Sequence, residues 1–160
     1  MSGKSQNFED RDTRSPSDPS PVTRDPSRFS FPVRVYWEDT DAGGIVYYAN
    51  YLKFMERARS EWLRAIGIEQ GPLKDEHNAM FVVVDVEAHF KRPARYGELL
   101  QVGCVIEQTT RASLTFKQQI LRDGELLIDG KVRVACLDAT TFRPQPVPDT
   151  VTEKMQAWNR

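Results

Sequence analysis

The spacing of apolar residues along the chain changes twice, and the changes predict a strand, a long helix and then a series of strands. Before residue 38, apolar and polar residues alternate, as is typical of a β-strand. The apolar positions of this strand are Phe31, Val33, Val35 and Trp37. Intervals of three and four residues then predict an amphipathic helix from about Tyr47 to Ile66. Its apolar stripe consists of Tyr51, Phe54, Met55, Ala58, Trp62, Ala65 and Ile66.

The end of this helix is better defined by the sequence than its beginning. Gly67 suits the position just past the last helical turn, and Leu63 and Ile68 are spaced for the apolar contact that accompanies such an ending. No Ser, Thr or Asp stands directly before Tyr47, so the first turn is either capped from Asp41 or open to a ligand. The polar face is predicted to carry the ion pairs Glu56–Arg59 and Arg57–Glu61.

The second half of the chain is predicted to form an antiparallel sheet. Gln70-Gly71-Pro72 interrupts the helical pattern, so residues 69–79 are predicted to be a loop or a short helix. Alternating and β-branched runs then indicate four strands. These strands are expected at residues 81–90, 98–107, 114–120 and 126–136.

Glycine and proline positions complete the predicted topology. The run RDGE at 122–125 is typical of a hairpin turn, and Gly130 indicates a bulge or a close approach by another backbone. Three prolines end the last strand, after which Val151, Met155 and Trp158 are expected to anchor one or two helical turns. One helix followed by strands with short connections predicts an α+β fold, with the helix against one face of the sheet.

The first 29 residues differ from the rest in composition, because serine, proline and charges of both signs dominate them. Such a segment buries too little apolar surface to offset the entropy lost on ordering, so residues 1–29 are predicted to be a disordered tail. Its role is either that of a docking segment or that of a solvated extension. Residues 30–160 are predicted to form one domain.

Charge and apolar content exclude several partners. A net charge of −1 gives no basic field, so neither nucleic acid nor an anionic membrane surface is an expected partner. No stretch reaches the run of about 18 apolar residues needed to cross a bilayer, and no secretory leader is expected. Cys104 and Cys136 lie in apolar strand-like runs, which predicts buried, reduced thiols and a cytoplasmic location.

The sequence lacks the common signatures of nucleophilic and nucleotide-binding sites. It contains no Gly-x-Ser-x-Gly, no Gly-x-x-x-x-Gly-Lys-Ser/Thr and no Gly-x-Gly-x-x-Gly motif. His77 and His89 have no cysteine at zinc-ligand spacing, so no metal site is expected. His89 is predicted to be a structural histidine on a strand, and His77 to be solvated in a polar loop.

Three carboxylates, Glu38, Asp39 and Asp41, cluster between the first strand and the helix. They serve either as caps and solvated loop charges, or as catalysts acting on a substrate whose oxygen is held by the unpaired N–H groups of the helix N-terminus. An aspartate is a weak base, so it suits a substrate with a good leaving group. A thiolate is such a group, and a thioester therefore fits a site with a carboxylate, backbone donors and no histidine.

Four segments carry a resemblance to a known family. They are DTDAGGIVYYANY at 39–51, FMERAR at 54–59, FKRPARYGE at 90–98 and VRVAC at 132–136. Together they resemble the hotdog-fold acyl-CoA thioesterases of the 4-hydroxybenzoyl-CoA thioesterase family, and they are most similar to the branch found with the Tol-Pal envelope system. The resemblance covers about residues 30–155.

This resemblance implies a hotdog fold, in which a five-stranded antiparallel sheet wraps around one long helix. It also implies homo-oligomers, dimers or tetramers, with active sites at subunit interfaces. The family's catalytic carboxylate matches Asp41, as nucleophile or as general base, and its oxyanion donor matches the backbone N–H of Tyr48. Relatives of the Tol-Pal branch often carry histidine at the position of Tyr48, which leaves a backbone role unchanged.

The resemblance further implies that the chain hydrolyses an acyl- or aroyl-CoA to the free acid and CoA, without a cofactor. Expected substrate-binding residues are Tyr47, Tyr51, Glu56, Lys91, Arg92, Arg111 and Ser113. Of these, the arginines and Lys91 are expected to meet the CoA phosphates, because guanidinium groups suit phosphate oxygens. Two alternatives remain: a non-catalytic module that binds acyl-CoA or acyl-carrier protein on the same fold, and a dehydratase, which needs a histidine in the motif.

Overall fold

A computed structural model describes residues 29–159 of the chain. Residues 1–28, which make up almost all of the predicted tail, lie outside the described residues. The strands are β1 (Phe29–Arg34), β2 (Ala79–Phe90), β3 (Leu99–Thr109), β4 (Ser113–Arg122) and β5 (Glu125–Asp138). The helices are α1 (Asn50–Ala65), α2 (Gln70–His77) and α3 (Asp149–Trp158), and one turn of 3-10 helix spans Trp37–Asp39.

All five strands join one antiparallel sheet in the order β1-β3-β4-β5-β2. Helix α1 packs on one face of this sheet, and its stripe residues Phe54, Met55 and Ala58 are fully buried in a core shared with inward-facing strand residues. The prediction of an α+β fold with one helix against an antiparallel sheet is confirmed. Cys104 and Cys136 are free and buried, and burial raises the pKa of both thiols.

Helix α1 ends as predicted. Gly67 has a φ of 85°, its N–H donates to the carbonyl of Arg64, and the N–H of Ile68 donates to the carbonyl of Leu63. Leu63 and Ile68 are both buried, which supplies the apolar contact of this helix ending. The hairpin turn is confirmed as well, since Asp123 and Gly124 have φ values of 47° and 79°.

The predicted close approach at Gly130 is between the sheet and α1. A Cβ added to Gly130 would lie 2.3 Å from the Cε of Met55 and 3.4 Å from the carbonyl oxygens of Gln118 and Glu87. Because Met55 has no exposed surface, its side chain has little room to move. The missing side chain of Gly130 therefore lets α1 lie close to the middle of the sheet.

The first strand ends three residues earlier than predicted. The carboxylate of Asp39 accepts the N–H of Tyr36 at 2.8 Å, which folds residues 37–39 into a 3-10 turn and takes Trp37 out of the strand. Trp37 is 69% exposed and stacks on Tyr96 with ring centroids 3.8 Å apart. Helix α1 also begins later than predicted, at Asn50, because residues 47–49 form a separate turn.

The predicted ion pairs on the polar face of α1 are wrong. Glu56 accepts a hydrogen bond from Ser60, and Glu61 pairs with Arg64. Arg59 lies on the buried stripe, four residues after Met55, and its side chain turns towards the sheet. The spacing of residues alone could not show whether Arg59 belongs to the polar face of α1 or to its buried stripe.

Candidate active site

The three carboxylates before α1 occupy different environments. Asp39 is buried; besides its bond to Tyr36, its carbonyl accepts the N–H of Tyr47 and the side-chain amide of Asn50, both at 2.9 Å. Asp39 therefore holds the 3-10 turn against the start of the helix. Glu38 is exposed and makes no hydrogen bond within residues 29–159.

Asp41 lies on the rim of the loop between Thr40 and Val46, which a short antiparallel bridge closes. Its Oδ1 accepts the N–H of Gly43 at 2.8 Å, while its backbone N–H and carbonyl bond to Ile45 and Gly44. The carboxylate is exposed, and no cation within residues 29–159 forms an ion pair with it. One carboxylate oxygen is thus held by the loop, and the other accepts no hydrogen bond from residues 29–159.

The turn that leads into α1 offers unpaired backbone donors. The N–H of Tyr47 is taken by Asp39 and that of Asn50 by Tyr47. Within the described part of the chain, the N–H groups of Tyr48 and Ala49 have no acceptor, and no side chain caps the helix at Ala49. Unpaired N–H groups at a helix start can hold a developing oxyanion.

Aromatic side chains form one wall beside these donors. Tyr48 contacts Tyr47 and meets Phe90 edge-on, with centroids 4.9 and 6.2 Å apart, and Tyr51 lies 5.9 Å from Phe90. Tyr47, Tyr48 and Phe90 are about half exposed, so an apolar group of a ligand could pack on them. The sequence prediction missed Phe90 as a site residue, although it is the first residue of the FKRPARYGE segment.

Tyr51, a predicted substrate-binding residue, is buried and has a structural bond. Its phenol oxygen accepts the N–H of Ala94 at 2.9 Å. Burial raises the pKa of the Tyr51 phenol, the bond from Ala94 lowers it, and the negative charge of Asp41 adds a smaller increase. The carbonyl of Ala94 in turn accepts the N–H of Val46, so residues 91–98 support both the helix and the loop of Asp41.

A charge network fixes this supporting segment. Arg122 donates to the carboxylate of Glu98 at 2.8 Å and to the carbonyl of Pro93 at 3.1 Å, and Glu98 also accepts the N–H of Arg95. Burial would raise the pKa of Glu98, but the bonds from Arg122 and Arg95 hold that pKa below its ordinary value. The sequence indicated only a hairpin turn at Arg122, because Glu98 lies far from it along the chain.

The predicted phosphate-binding residues do not meet within one chain. Lys91 and Arg92 are exposed, and both donate their N–H groups to Leu127 at the start of β5. Arg111 and Ser113 lie at the turn between β3 and β4, where Ser113 pairs with Ala135. Since Phe90 pairs with Ile128, seven residues of β5, or about 23 Å, separate the two groups.

The other residues singled out in the sequence lie in different surroundings. Glu56 is exposed and lines a cavity against α1. Ser113 is buried, and its hydroxyl lies 2.6 Å from that of Thr110. His89 lies on β2, as predicted, with its Nε2 2.9 Å from the carboxylate of Glu87, but it is exposed, and His77 is the last residue of α2. Residues 29–159 contain no cluster of three or more metal-binding side chains and no helix able to cross a membrane.

Comparisons with known proteins agree with this geometry. A family model described as "Thioesterase-like superfamily" matches residues 35–156. The chain is 42% identical over 123 residues to "Acyl-CoA thioesterase YbgC" of Haemophilus influenzae, covering 77% of this chain and 90% of that protein. It is 39% identical over 129 residues to "Acyl-CoA thioester hydrolase YbgC" of Escherichia coli O157:H7, covering 80% and 96%. A crystal structure of a probable thioesterase from Bartonella henselae superposes with a TM-score of 0.73 at 35% identity, covering 76% of this chain and all of that one.

Proposed function

Because this chain belongs to the thioesterase-like superfamily and is a thioester hydrolase, we propose that its substrate is an acyl- or aroyl-CoA, hydrolysed to the free acid and CoA. One observation carries the assignment of the site: the exposed carboxylate of Asp41 lies on the loop that leads directly into the turn of Tyr48, whose N–H has no acceptor within residues 29–159. The binding-module alternative has no feature of this site in its favour. The dehydratase alternative lacks the histidine that it needs, since His77 and His89 lie outside this loop.

In the proposed reaction the thioester carbonyl oxygen accepts the N–H of Tyr48, which stabilises the negative charge that develops on it. The free oxygen of Asp41 either attacks the carbonyl carbon and expels the thiolate, giving a mixed anhydride that water then hydrolyses to the free acid and the aspartate, or it removes a proton from a water that attacks the carbonyl carbon and expels the thiolate. The Gly43 N–H holds the other oxygen in both routes. A thiolate leaves without help from an acid, which is why a site without histidine suffices.

Arg111 lies far from Lys91 and Arg92 within one chain, and this separation supports an active site that a second copy of the chain completes. Strand β2 is an edge of the sheet, and Val83, Val84 and Val86 are exposed along it. Two copies related by a two-fold axis would pair their β2 strands antiparallel, so the Ala79 end of one copy would lie beside the Phe90 end of the other. Arg111 and Ser113 of the second copy would then approach Lys91 and Arg92 of the first.

This arrangement assigns CoA phosphate binding to residues of both copies. Arg111 and Arg92 have exposed guanidinium groups, and the Nε of Arg92 lies 3.7 Å from the carboxylate of Glu125. Guanidinium groups bind phosphate oxygens in pairs of hydrogen bonds. The proposed assembly is a homodimer built on β2, and two such dimers would form a tetramer.

The proposal also covers the family branch, the cellular location and the acyl donor of the enzyme. The proposed branch is the one found with the Tol-Pal system, which the segments at 39–51, 54–59, 90–98 and 132–136 resemble most, and the similarity to relatives named YbgC is consistent with it. Two buried free thiols fit the reducing cytoplasm. Acyl-carrier protein is a second possible donor of the acyl group, because it presents the same thioester.

The proposal is tested with a panel of acyl- and aroyl-CoAs and a thiol-reactive dye that detects released CoA. Saturable release of thiol from at least one member of the panel is expected. Binding of the thioesters without any thiol release, measured by calorimetry on the same preparation, would contradict the proposal and favour the binding module.

A further inference from the structure

Arg59 is a buried cation on the face of α1 that meets the sheet. Only 9% of its surface is exposed. Its Nη1 donates to the side-chain oxygen of Gln118 at 2.9 Å, and the amide nitrogen of Gln118 donates to the carbonyl of Met55 at 2.9 Å. Gln118, which comes from the middle of β4, has no exposed surface, so this polar pair is set firmly in the core.

The charge of Arg59 has no carboxylate partner within residues 29–159. The nearest candidate on its own helix, Glu56, accepts a hydrogen bond from Ser60, and no ion pair joins Glu56 to Arg59. Burial lowers the pKa of the Arg59 guanidinium, yet an arginine keeps its proton in proteins. A buried, unpaired charge is costly, and such groups often mark a functional site.

Two adjoining cavities reach Arg59 along the side of α1 that faces β2. The first begins at Leu52 and Lys53, one turn after Tyr48. The second extends past Arg59 to Leu63 and Gln70. Both are lined by Glu56, Arg59 and Val83, so together they form one groove that runs from the first turn of α1 to the buried guanidinium.

The sheet side of the groove is apolar, whereas the α1 side carries the charged residues Lys53, Glu56, Arg57 and Arg59. The deeper cavity is walled by Phe81, Leu114, Phe116 and Val134, whereas Arg59, Ser60 and Gln70 supply hydrogen-bond donors. Arg59 follows Tyr48 by eleven positions, which corresponds to about 16 Å along a helix axis. Its side chain leans back towards the helix start, as helical side chains do, and this shortens the distance.

We infer that this groove holds the acyl group and that Arg59 binds an oxygen at its far end, so that the enzyme prefers acyl chains ending in a carboxylate or a hydroxyl. The inference rests on the proposed function, in which the thioester lies at the Tyr48 N–H. A plain alkyl chain would leave the guanidinium buried and unpaired, whereas a distal oxygen accepts its free N–H groups.

Matched acyl-CoA pairs test the inference. We expect the wild-type protein to show a kcat/KM about ten-fold or more higher for adipoyl-CoA than for hexanoyl-CoA, or for suberoyl-CoA than for octanoyl-CoA, since two lengths bracket the groove. The ω-hydroxyacyl-CoAs of both lengths distinguish a carboxylate from a hydroxyl. Arg59→Met is expected to bring the ratio to about one or below, and Arg59→Lys to give an intermediate ratio, because lysine keeps the charge but loses the planar fork.

Arg64→Met is the matched control, because Arg64 lies on the same helix, is exposed and pairs with Glu61. Its ratio should equal that of the wild type. Thermal unfolding shows whether Arg59→Met folds. If it does not fold, the kcat/KM ratios of the wild type and of Arg59→Lys test the inference.

Three results would overturn the inference. One is a wild-type preference for the plain alkyl chains at both lengths. Another is a ratio that Arg59 substitutions leave unchanged. The third is a change in oligomeric state with Arg59→Met at an unchanged ratio, which would assign the guanidinium to a contact with a second copy. The proposed function fails by a different result, the absence of thiol release from every acyl-CoA.

Discussion

The backbone N–H of Ala94 donates to the phenol oxygen of Tyr51 at 2.9 Å, and this bond joins the first turn of α1 to the segment that supports the loop of Asp41. Both residues are buried. Because the carbonyl of Ala94 also holds Val46, one residue fixes the two elements that carry the proposed carboxylate and the proposed oxyanion donor.

Tyr51→Phe should therefore lower both stability and activity. It leaves the buried N–H of Ala94 without an acceptor, which costs about 1–3 kcal/mol of unfolding free energy. The kcat/KM should fall as well, because the supporting segment loses its tie to the helix. Urea unfolding and thiol-release kinetics measure the two effects. Tyr96→Phe, at an exposed tyrosine, is the control, and equal stability of the two variants would contradict the role given to Tyr51.

Asp41→Asn should fold normally and lose turnover. The side-chain oxygen of asparagine can still accept the N–H of Gly43, so the loop should keep its shape. Loss of the charge that attacks or activates water should lower kcat by about 10²–10⁴-fold. Asp123→Asn is the matched control, since Asp123 lies in the hairpin turn with a positive φ that asparagine tolerates. Wild-type turnover in Asp41→Asn would remove this residue from the mechanism.

Gly43→Ala tests the position of the carboxylate without removing it. The added Cβ would lie 3.1 Å from the Oδ1 of Asp41, close enough to displace that oxygen. Because small displacements of a reacting group are costly, kcat should fall by about ten- to 100-fold with little change in stability. Gly71→Ala adds a methyl group that meets no atom within 4 Å and should leave kcat unaltered. Equal kinetics in the two variants would show that the orientation of Asp41 does not matter.

The Glu98–Arg122 pair should make stability depend on pH. The pKa of Glu98 is lowered in the folded protein, so its contribution is fully present above the ordinary glutamate pKa of about 4.3 and is lost as the pH falls towards the lowered value. Glu98→Gln should be less stable than the wild type near neutral pH, and the difference should shrink in acid. Glu61→Gln, at an exposed pair, is the control. A difference that stays constant with pH would contradict the assignment.

Mixing two damaged variants should restore activity if the site spans two copies. Arg111→Ala should raise KM for acyl-CoA, and Asp41→Asn should lose turnover. After unfolding and refolding together, mixed dimers would contain one site with both wild-type residues. Thiol release above the sum of the separate variants is expected. Refolding of each variant alone is the control. Thiol release equal to the sum of the separate variants would contradict a site that spans two copies. It would mean either that Arg111 and Asp41 of one chain belong to the same site, or that Arg111 lies outside the site.

Local patterns predicted much of the fold. The apolar stripe of α1 and its ending at Gly67 depend on residues within a few positions of one another. The strands depend on the alternation of apolar and polar residues. Both kinds of pattern could therefore be predicted from the sequence. The early end of β1 could not be read, because alternation continues through Trp37 while the carboxylate of Asp39 folds the turn.

The candidate site was less predictable because its contacts join distant parts of the chain. Arg59 meets Gln118 from β4, and Arg122 meets Glu98, which directly precedes β3. Sequence spacing offered nearer partners for both: Glu56 for Arg59, which forms no ion pair with it, and Glu125 for Arg122, which pairs with it in addition to Glu98. The distance between Arg92 and Arg111 follows from strand pairing, which only the sheet order reveals.

The stacked pair of Trp37 and Tyr96 gives the protein a built-in optical signal. Of the three tryptophans, Trp62 is buried in the core and Trp158 half-buried, while Trp37 lies open to water next to the turn of Asp39. Emission from Trp37 should respond when the turn loosens or a ligand settles nearby, and emission from Trp62 only when the core melts. The two indoles therefore allow motion at the proposed reaction centre to be followed separately from denaturation, without any attached dye.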